Sequence, residues 1–156
     1  MSIQVGQKAP EFSLFDTDKN EVKLADLEGK NVLLLFFPFA FTGTCTKELC
    51  SVRDTLSVYN DANATVFGIS VDTPYSLKRY KEDQQLNFGL LSDFNKEAAE
   101  AYNCQYETFA MGMKKVAKRS AFLIDKEGTV RYAEVLENAN EIPDFEAIQA
   151  CLKKLN

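Results

Sequence analysis

Six apolar residues stand in succession from Val32 to Phe37, Val-Leu-Leu-Leu-Phe-Phe, and Pro38 stops them. A strand with one wet face alternates apolar and polar residues. An unbroken apolar run this short, closed by proline, reads instead as a strand covered on both faces within a mainly parallel sheet. A buried helical segment fits less well, because the run is short and ends in Pro. Such a strand implies an α/β architecture, a mixed central sheet flanked by helices.

The remaining pattern supplies the other layers. Phe12–Phe15 and Val22–Leu24 read as strands around the polar turn Asp16–Asn20. Leu49, Val52, Leu56 and Tyr59 recur at helical spacing, with Thr44 or Thr42 as the N-cap, so a helix starts almost at Cys45. Ala64–Val71 is a second apolar strand, and Thr73-Pro74 opens a helix to about Gln85. Phe88–Leu91 gives a strand, Asn95–Tyr102 a short helix, and Asn103–Lys118, without clear period, a long loop. Ser120–Asp125 and Thr129–Leu136 form a hairpin about Lys126-Glu127-Gly128. Pro143 begins a last helix with Phe145, Ile148, Leu152 and Leu155 on one face. A chain of 156 residues with no linker reads as one domain over 1–156.

Composition removes whole classes of chemistry. The count of histidine is 0, which excludes a Ser-His-Asp triad, a Cys-His dyad, a His-ligated zinc and a His-ligated haem. A net charge of −5 without a basic tail argues against nucleic acid as a partner. No apolar run reaches membrane-spanning length, and the N-terminus lacks a basic segment followed by an apolar one. The expected location is therefore a thiol-reducing cytoplasm, where a cysteine is either an inert core residue or chemically employed. The four cysteines, Cys45, Cys50, Cys104 and Cys151, contain no C-x-x-C pair, which disfavours a zinc ribbon or a thioredoxin-type dithiol.

Cys45 falls where the buried strand hands over to a helix N-terminus. Unpaired amides and the positive end of the helix dipole converge there and favour an anion. A free thiol of pKa about 8.5 is only a few per cent ionised at neutral pH, whereas thiols at helix N-termini with a cation nearby reach about 6 and are mostly thiolate. This substitutes for the missing histidine. Gly43-Thr44-Cys45-Thr46-Lys47 is not a phosphate loop, because the second Gly before the Lys is absent. Nor is it a cysteine-phosphatase loop, which would want Arg where Ser51 stands.

Pro38, Thr42 and Cys45 fit P-x-x-x-T-x-x-C, and at this point the chain resembles the peroxiredoxins of the AhpC/TSA superfamily, thiol peroxidases on a thioredoxin-like fold. The likeness extends to Ala9-Pro10-Glu11-Phe12, Leu91-Ser92-Asp93 and the run Arg119–Asp125 with Gly128. Phe37–Gly43 is similar to the alkyl hydroperoxide reductase E type, whereas Cys50, five positions after Cys45, is similar to the resolving cysteine of the bacterioferritin-comigratory, or Q, type. The resemblance implies that Cys45 is the peroxidatic nucleophile, that Thr42 and Arg119 orient the peroxide and stabilise developing charge, and that Pro38 shields the thiolate. It implies hydrogen peroxide and organic hydroperoxides as substrates, a thioredoxin-like dithiol as reductant, no metal or bound cofactor, and suggests a homodimer.

Glu48, one turn beyond Thr44, either reaches an Arg such as Arg119 or serves as an ordinary acid near a helix start. Arg53, two turns after Cys45, is a weaker candidate for a second buried Arg. Cys50 is either the resolving thiol or an ordinary residue beside Leu49. In one intact helix the two cysteines would stand about 7.5 Å apart along the axis and point roughly 140° apart. A disulfide needs Cα atoms within about 7 Å and converging side chains, so resolution by Cys50 would require the first helical turn to unwind. Cys151 reads as core and Cys104 as a residue open to exposure. Lys114, Lys115, Lys118 and Arg119 form either a solvated loop or an attractor for an anionic substrate or acidic partner. Phe36, Phe39 and Phe41 divide between core, peroxide pocket and dimer face. The rival reading is a thioredoxin-like redox-sensing or interaction module that oxidises without turnover.

Overall fold

A computed structural model describes residues 2–156. In chain order the elements are β1 (Ser13–Asp16), β2 (Glu21–Lys23), β3 (Asn31–Phe36), α1 (Gly43–Asp54), α2 (Leu56–Asp61), β4 (Ala64–Ser70), α3 (Pro74–Gln84), β5 (Gly89–Ser92), α4 (Glu97–Ala101), β6 (Thr108–Phe109), β7 (Met113–Lys114), β8 (Ser120–Ile124), β9 (Val130–Val135) and α5 (Phe145–Lys154). Seven strands make one mixed sheet in the order β2-β1-β5-β4-β3-β8-β9. The pairs β3–β4 and β4–β5 are parallel, and the others are antiparallel.

The apolar run is explained by what lies on its two sides. Leu33, Leu35 and Phe37 pack with Leu49 and Val52 of α1, Leu77 of α3, and Ile148 and Leu152 of α5. Val32, Leu34 and Phe36 enter a second cluster with Ala98 and Ala99 of α4, Tyr102 and Phe122. Successive side chains of a strand point to opposite faces, so two cores require apolar residues at every position of β3. Burying each of its leucines contributes roughly 1.5–3 kcal/mol. The aromatic bulk of the second cluster interlocks: Phe36 stands edge-on to Phe122 at 5.8 Å between ring centroids, and Tyr102 lies 5.1 Å from Phe122.

Four expectations are corrected. The helix after Cys45 is two helices, broken at Thr55, where Thr55 Oγ1 donates to the Ser51 carbonyl at 2.9 Å and Ser51 Oγ to the Glu48 carbonyl at 2.7 Å. Such side-chain bonds offer the last-turn carbonyls an alternative to the amide ladder. Pro143 precedes α5 rather than opening it. Asp144 is the N-cap and accepts from the Ala147 amide at 3.0 Å. The stretch 103–118 is a hairpin, β6 paired with β7 and continued by a bridge between Gln105 and Ala117, with Met111 at its tip in left-handed conformation. Strands of two residues leave no periodic signal. Cys104 is fully buried.

Candidate active site

The sheet brings the candidate residues to one end. Parallel pairing aligns the C-terminal ends of β3 and β4, with Phe36 opposite Ile69. Antiparallel pairing sets Phe36 opposite Ser120, the first residue of β8, so Arg119 arrives at the same end. Ser120 also pairs with Val135, the last residue of β9, and the Leu136 amide donates to the Arg119 carbonyl at 2.9 Å. The loop that follows therefore passes over Arg119.

Pro38 ends the strand and α1 begins at Gly43, which makes Cys45 the third residue of the helix. Thr42 occupies the N-cap, but its hydroxyl does not cap; it donates to the Phe39 carbonyl at 2.8 Å. Among the described residues no acceptor takes the amides of Gly43, Thr44 or Cys45, and the first helical bond runs from Thr46 to Thr42. These free donors lie beside a thiol that is 1% exposed. With its hydrogen committed to Phe39, the Thr42 oxygen is left as an acceptor.

Arg119 joins the site's charged groups. Its Nη1 stands 3.2 Å from Cys45 Sγ and 2.7 Å from Glu48 Oε1, and its Nη2 donates to the Ala139 carbonyl at 2.9 Å. Arg119 and Glu48 are both buried, and Glu48 Oε2 and Arg119 Nε have no partner among the described residues. Burial pushes the Glu48 carboxyl up from 4.5 to about 7, against the pull of Arg119. Burial alone would lower the Arg119 pKa, but Glu48 and Cys45 outweigh it and raise it. Glu48 thus takes the Arg partnership rather than the plain role of an acid near a helix start.

A cavity of about 210 Å³ opens onto Cys45, lined by Pro38, Phe39, Thr42, Phe109, Arg119 and Asn140 among others. Apolar groups make most of its wall, and it carries one cation, Arg119, one thiol, Cys45, the hydroxyls of Thr42 and Thr44 and the Asn140 amide, a setting suited to a small polarisable substrate. A larger cavity of about 430 Å³, between Phe15, Tyr75 and Phe94, contains no cysteine, so size alone does not locate the chemistry.

The remaining candidates scatter. Cys50 is on α1, its Sγ 3.6 Å from Gln84 Oε1 of α3, and all four cysteines are free. Arg53 does not join the site: its Nη1 donates to the Gln84 carbonyl at 2.7 Å and its Nε to Asp54 Oδ1 at 2.8 Å. Cys104 sits behind β8, where burial pushes its thiol up to about 12. Cys151 is half-buried against the core. Of the cationic run, Lys115 pairs with Glu107 at 2.8 Å and Lys118 with Glu137. Phe36 is core, Phe39 lines the cavity, and Phe41 is exposed with left-handed backbone, its ring against Tyr80.

Five contributors were missed from sequence: Asp72, Tyr80, Thr46, Phe109 and Ala139. Asp72 Oδ2 accepts from the Ala40 amide at 2.8 Å and from Ser70 Oγ at 2.6 Å, which pins the loop before α1 to the end of β4. Its signal was its place just past a buried parallel strand, where α/β folds build sites. Tyr80 OH and Thr46 Oγ1, 2.8 Å apart, tie α3 to the first turn of α1. Phe109 and Ala139 come from segments without periodicity.

The AhpC/TSA family model matches residues 5–133. Peroxiredoxin Bcp of Escherichia coli strain K12 is 38% identical over 131 residues, 83% of this chain and 84% of that protein. The crystal structure of peroxidoxin BcpB from Mycobacterium tuberculosis superposes with a TM-score of 0.87 at 26% identity, covering 99% of each chain. Peroxiredoxin Q of Xanthomonas campestris gives a TM-score of 0.81 at 25% identity, over 92% of this chain and 90% of that one.

Proposed function

The chain belongs to the AhpC/TSA family of peroxiredoxins, thiol peroxidases, and from that premise we propose that its peroxidase chemistry runs through Cys45, with Cys50 as the resolving thiol. The observation that carries this reading is the 3.2 Å contact of Arg119 Nη1 with Cys45 Sγ at the free amides of a helix N-terminus, inside a cavity.

Each step balances. The Cys45 thiolate attacks the nearer oxygen of a hydroperoxide; the S–O bond forms as the O–O bond breaks, and alkoxide or hydroxide leaves and takes up a proton. Donors aimed at the departing oxygen lower the barrier because its charge develops only in the transition state. Arg119 supplies such a donor, and Thr42 Oγ1, acceptor only, receives the hydroperoxide's O–H. Pro38 limits access of water. No histidine is needed once the thiolate exists.

The product is a sulfenic acid on Cys45. Cys50 attacks it, water leaves, and the Cys45–Cys50 disulfide forms; a thioredoxin-like dithiol then reduces that bond by exchange. Both cysteines lie in one unbroken helix, α1. Resolution therefore requires part of α1 to unwind in each cycle.

The test is peroxide consumption in the presence of thioredoxin and its reductase by the wild type, Cys45→Ser and Cys50→Ser, with mass spectrometry of the oxidised wild type. Loss of turnover in both variants, with a Cys45–Cys50 linkage, is the expected result. Retention of turnover in Cys45→Ser overturns the assignment of the nucleophile. Loss in Cys45→Ser alone, without the linkage, replaces Cys50 by an external thiol. Oxidation of the wild type without turnover would favour a sensor.

A further inference from the structure

Gln84, the last residue of α3, touches two residues of α1 at once. Its side-chain Oε1 accepts from Cys50 Sγ at 3.6 Å, and its backbone carbonyl accepts from Arg53 Nη1 at 2.7 Å. Arg53 is held from a second side, since Asn87 Nδ2, in the turn after α3, donates to the Arg53 carbonyl at 3.2 Å. The half of α1 that carries Cys50 is thus tied to the end of α3 by three polar contacts, none of which involves Cys45, Arg119 or the cavity.

We propose that Gln84, with Arg53, is a positioning latch for Cys50: it holds the thiol on α3 while α1 is helical, and its release governs disulfide formation. The proposal rests on the reading of Cys50 as the resolving thiol. In that step Cys50 loses its proton, its sulfur is oxidised as it bonds to the Cys45 sulfur, the sulfenic sulfur is reduced, and the S–OH oxygen departs as water. Cys50 cannot remain on Gln84 while doing so, because the two cysteines point apart on one helix. A contact present before a step and absent at its transition state slows that step by its full strength.

The latch has a chemical use. While the sulfenic acid waits it is open to a second peroxide, which carries it to sulfinic acid. A latched Cys50 therefore sets how much peroxide the protein survives in its active form. Removing it should trade a longer-lived folded site for faster resolution.

The experiment is rapid-mixing kinetics of the reduced full chain with hydrogen peroxide. It separates the second-order oxidation of Cys45 from the first-order formation of the disulfide, and mass spectrometry scores sulfinic acid at high peroxide. Gln84→Ala keeps the backbone carbonyl for Arg53 and removes only the tie to Cys50. It is expected to speed disulfide formation about threefold, the scale of one weak hydrogen bond. It should lower the sulfinic fraction and leave the second-order rate unchanged. Arg53→Met should speed the same phase, and the two variants combined should speed it further. Disulfide formation that is unchanged or slower in Gln84→Ala overturns the latch. Absence of a Cys45–Cys50 disulfide in the wild type overturns the resolving role itself, and is read before either variant is made.

Discussion

Glu48 sets two effects against each other, and pH decides between them. Full burial raises its carboxyl pKa while the Arg119 guanidinium at 2.7 Å lowers it, and burial wins, from 4.5 to about 7. The unpartnered Oε2 shows why: one oxygen is compensated and the other is not. A carboxyl raised in the folded state binds more protons there than in the unfolded chain. Its contribution to stability is therefore fully present below the unfolded pKa and is lost as pH rises through the folded one. At 1.36 kcal/mol per pH unit the span from 4.5 to about 7 is worth about 3 kcal/mol. In a chain of this size that is a melting shift of roughly 6–12 °C. Glu48→Gln removes the titration and keeps an acceptor for Arg119, so its stability offset from the parent should change with pH by that amount. Urea unfolding at pH 5, 6, 7 and 8 measures it, on a Cys45→Ser background that keeps the reactive thiol from oxidising during the measurement. The parent should lose about 3 kcal/mol relative to Glu48→Gln between pH 5 and pH 8. A difference that stays flat, or that favours the parent as pH rises, would show that Arg119 dominates and refute the reasoning.

Arg119→Met strands the Glu48 charge in the core and should cost about 3–5 kcal/mol at pH 8, and less at pH 5 where Glu48 takes up a proton; urea unfolding at the two pH values checks it. The same variant removes the donor on Cys45 Sγ and should slow the peroxide reaction about 10²–10³-fold, read by rapid mixing. Leu34→Ala opens a cavity beneath the sheet and should destabilise by about 2–5 kcal/mol without changing which cysteine reacts, measured by denaturant unfolding and thiol mapping. Cys104, buried and pushed up to about 12, should resist iodoacetamide in the native protein and label only after unfolding, as peptide mapping would show.

The central strand, the helix following it and the thiol at their junction were legible because each leaves a local mark: an unbroken apolar run, a 3.6-residue period and a proline. Arg119 could be named only through the family motif. What brings it to Cys45 is the antiparallel register of β8 on β3, a long-range pairing that no local pattern announces. The hairpin over 103–118 was hidden because its strands are two residues long and its closure is by backbone bonds such as Tyr106 N to Val116 O at 2.8 Å. Gln84 was invisible for a related reason. Its side chain matters only because the end of one helix meets the middle of another.

The two-sided burial of β3 has a cost that lies outside the native state. Val32–Phe37 is uncharged, rich in β-forming residues and free of proline and glycine, the composition of a segment that stacks with copies of itself. In the fold it is harmless, because β4 and β8 occupy both its edges and helices cover both its faces. Once the sheet opens, nothing within the run guards it, and Pro38 limits only its far end. Loss of this protein under heat or after a damaging core substitution should thus be irreversible, through association of exposed chains, and its working lifetime should follow the rate at which the sheet opens more than the depth of its stability.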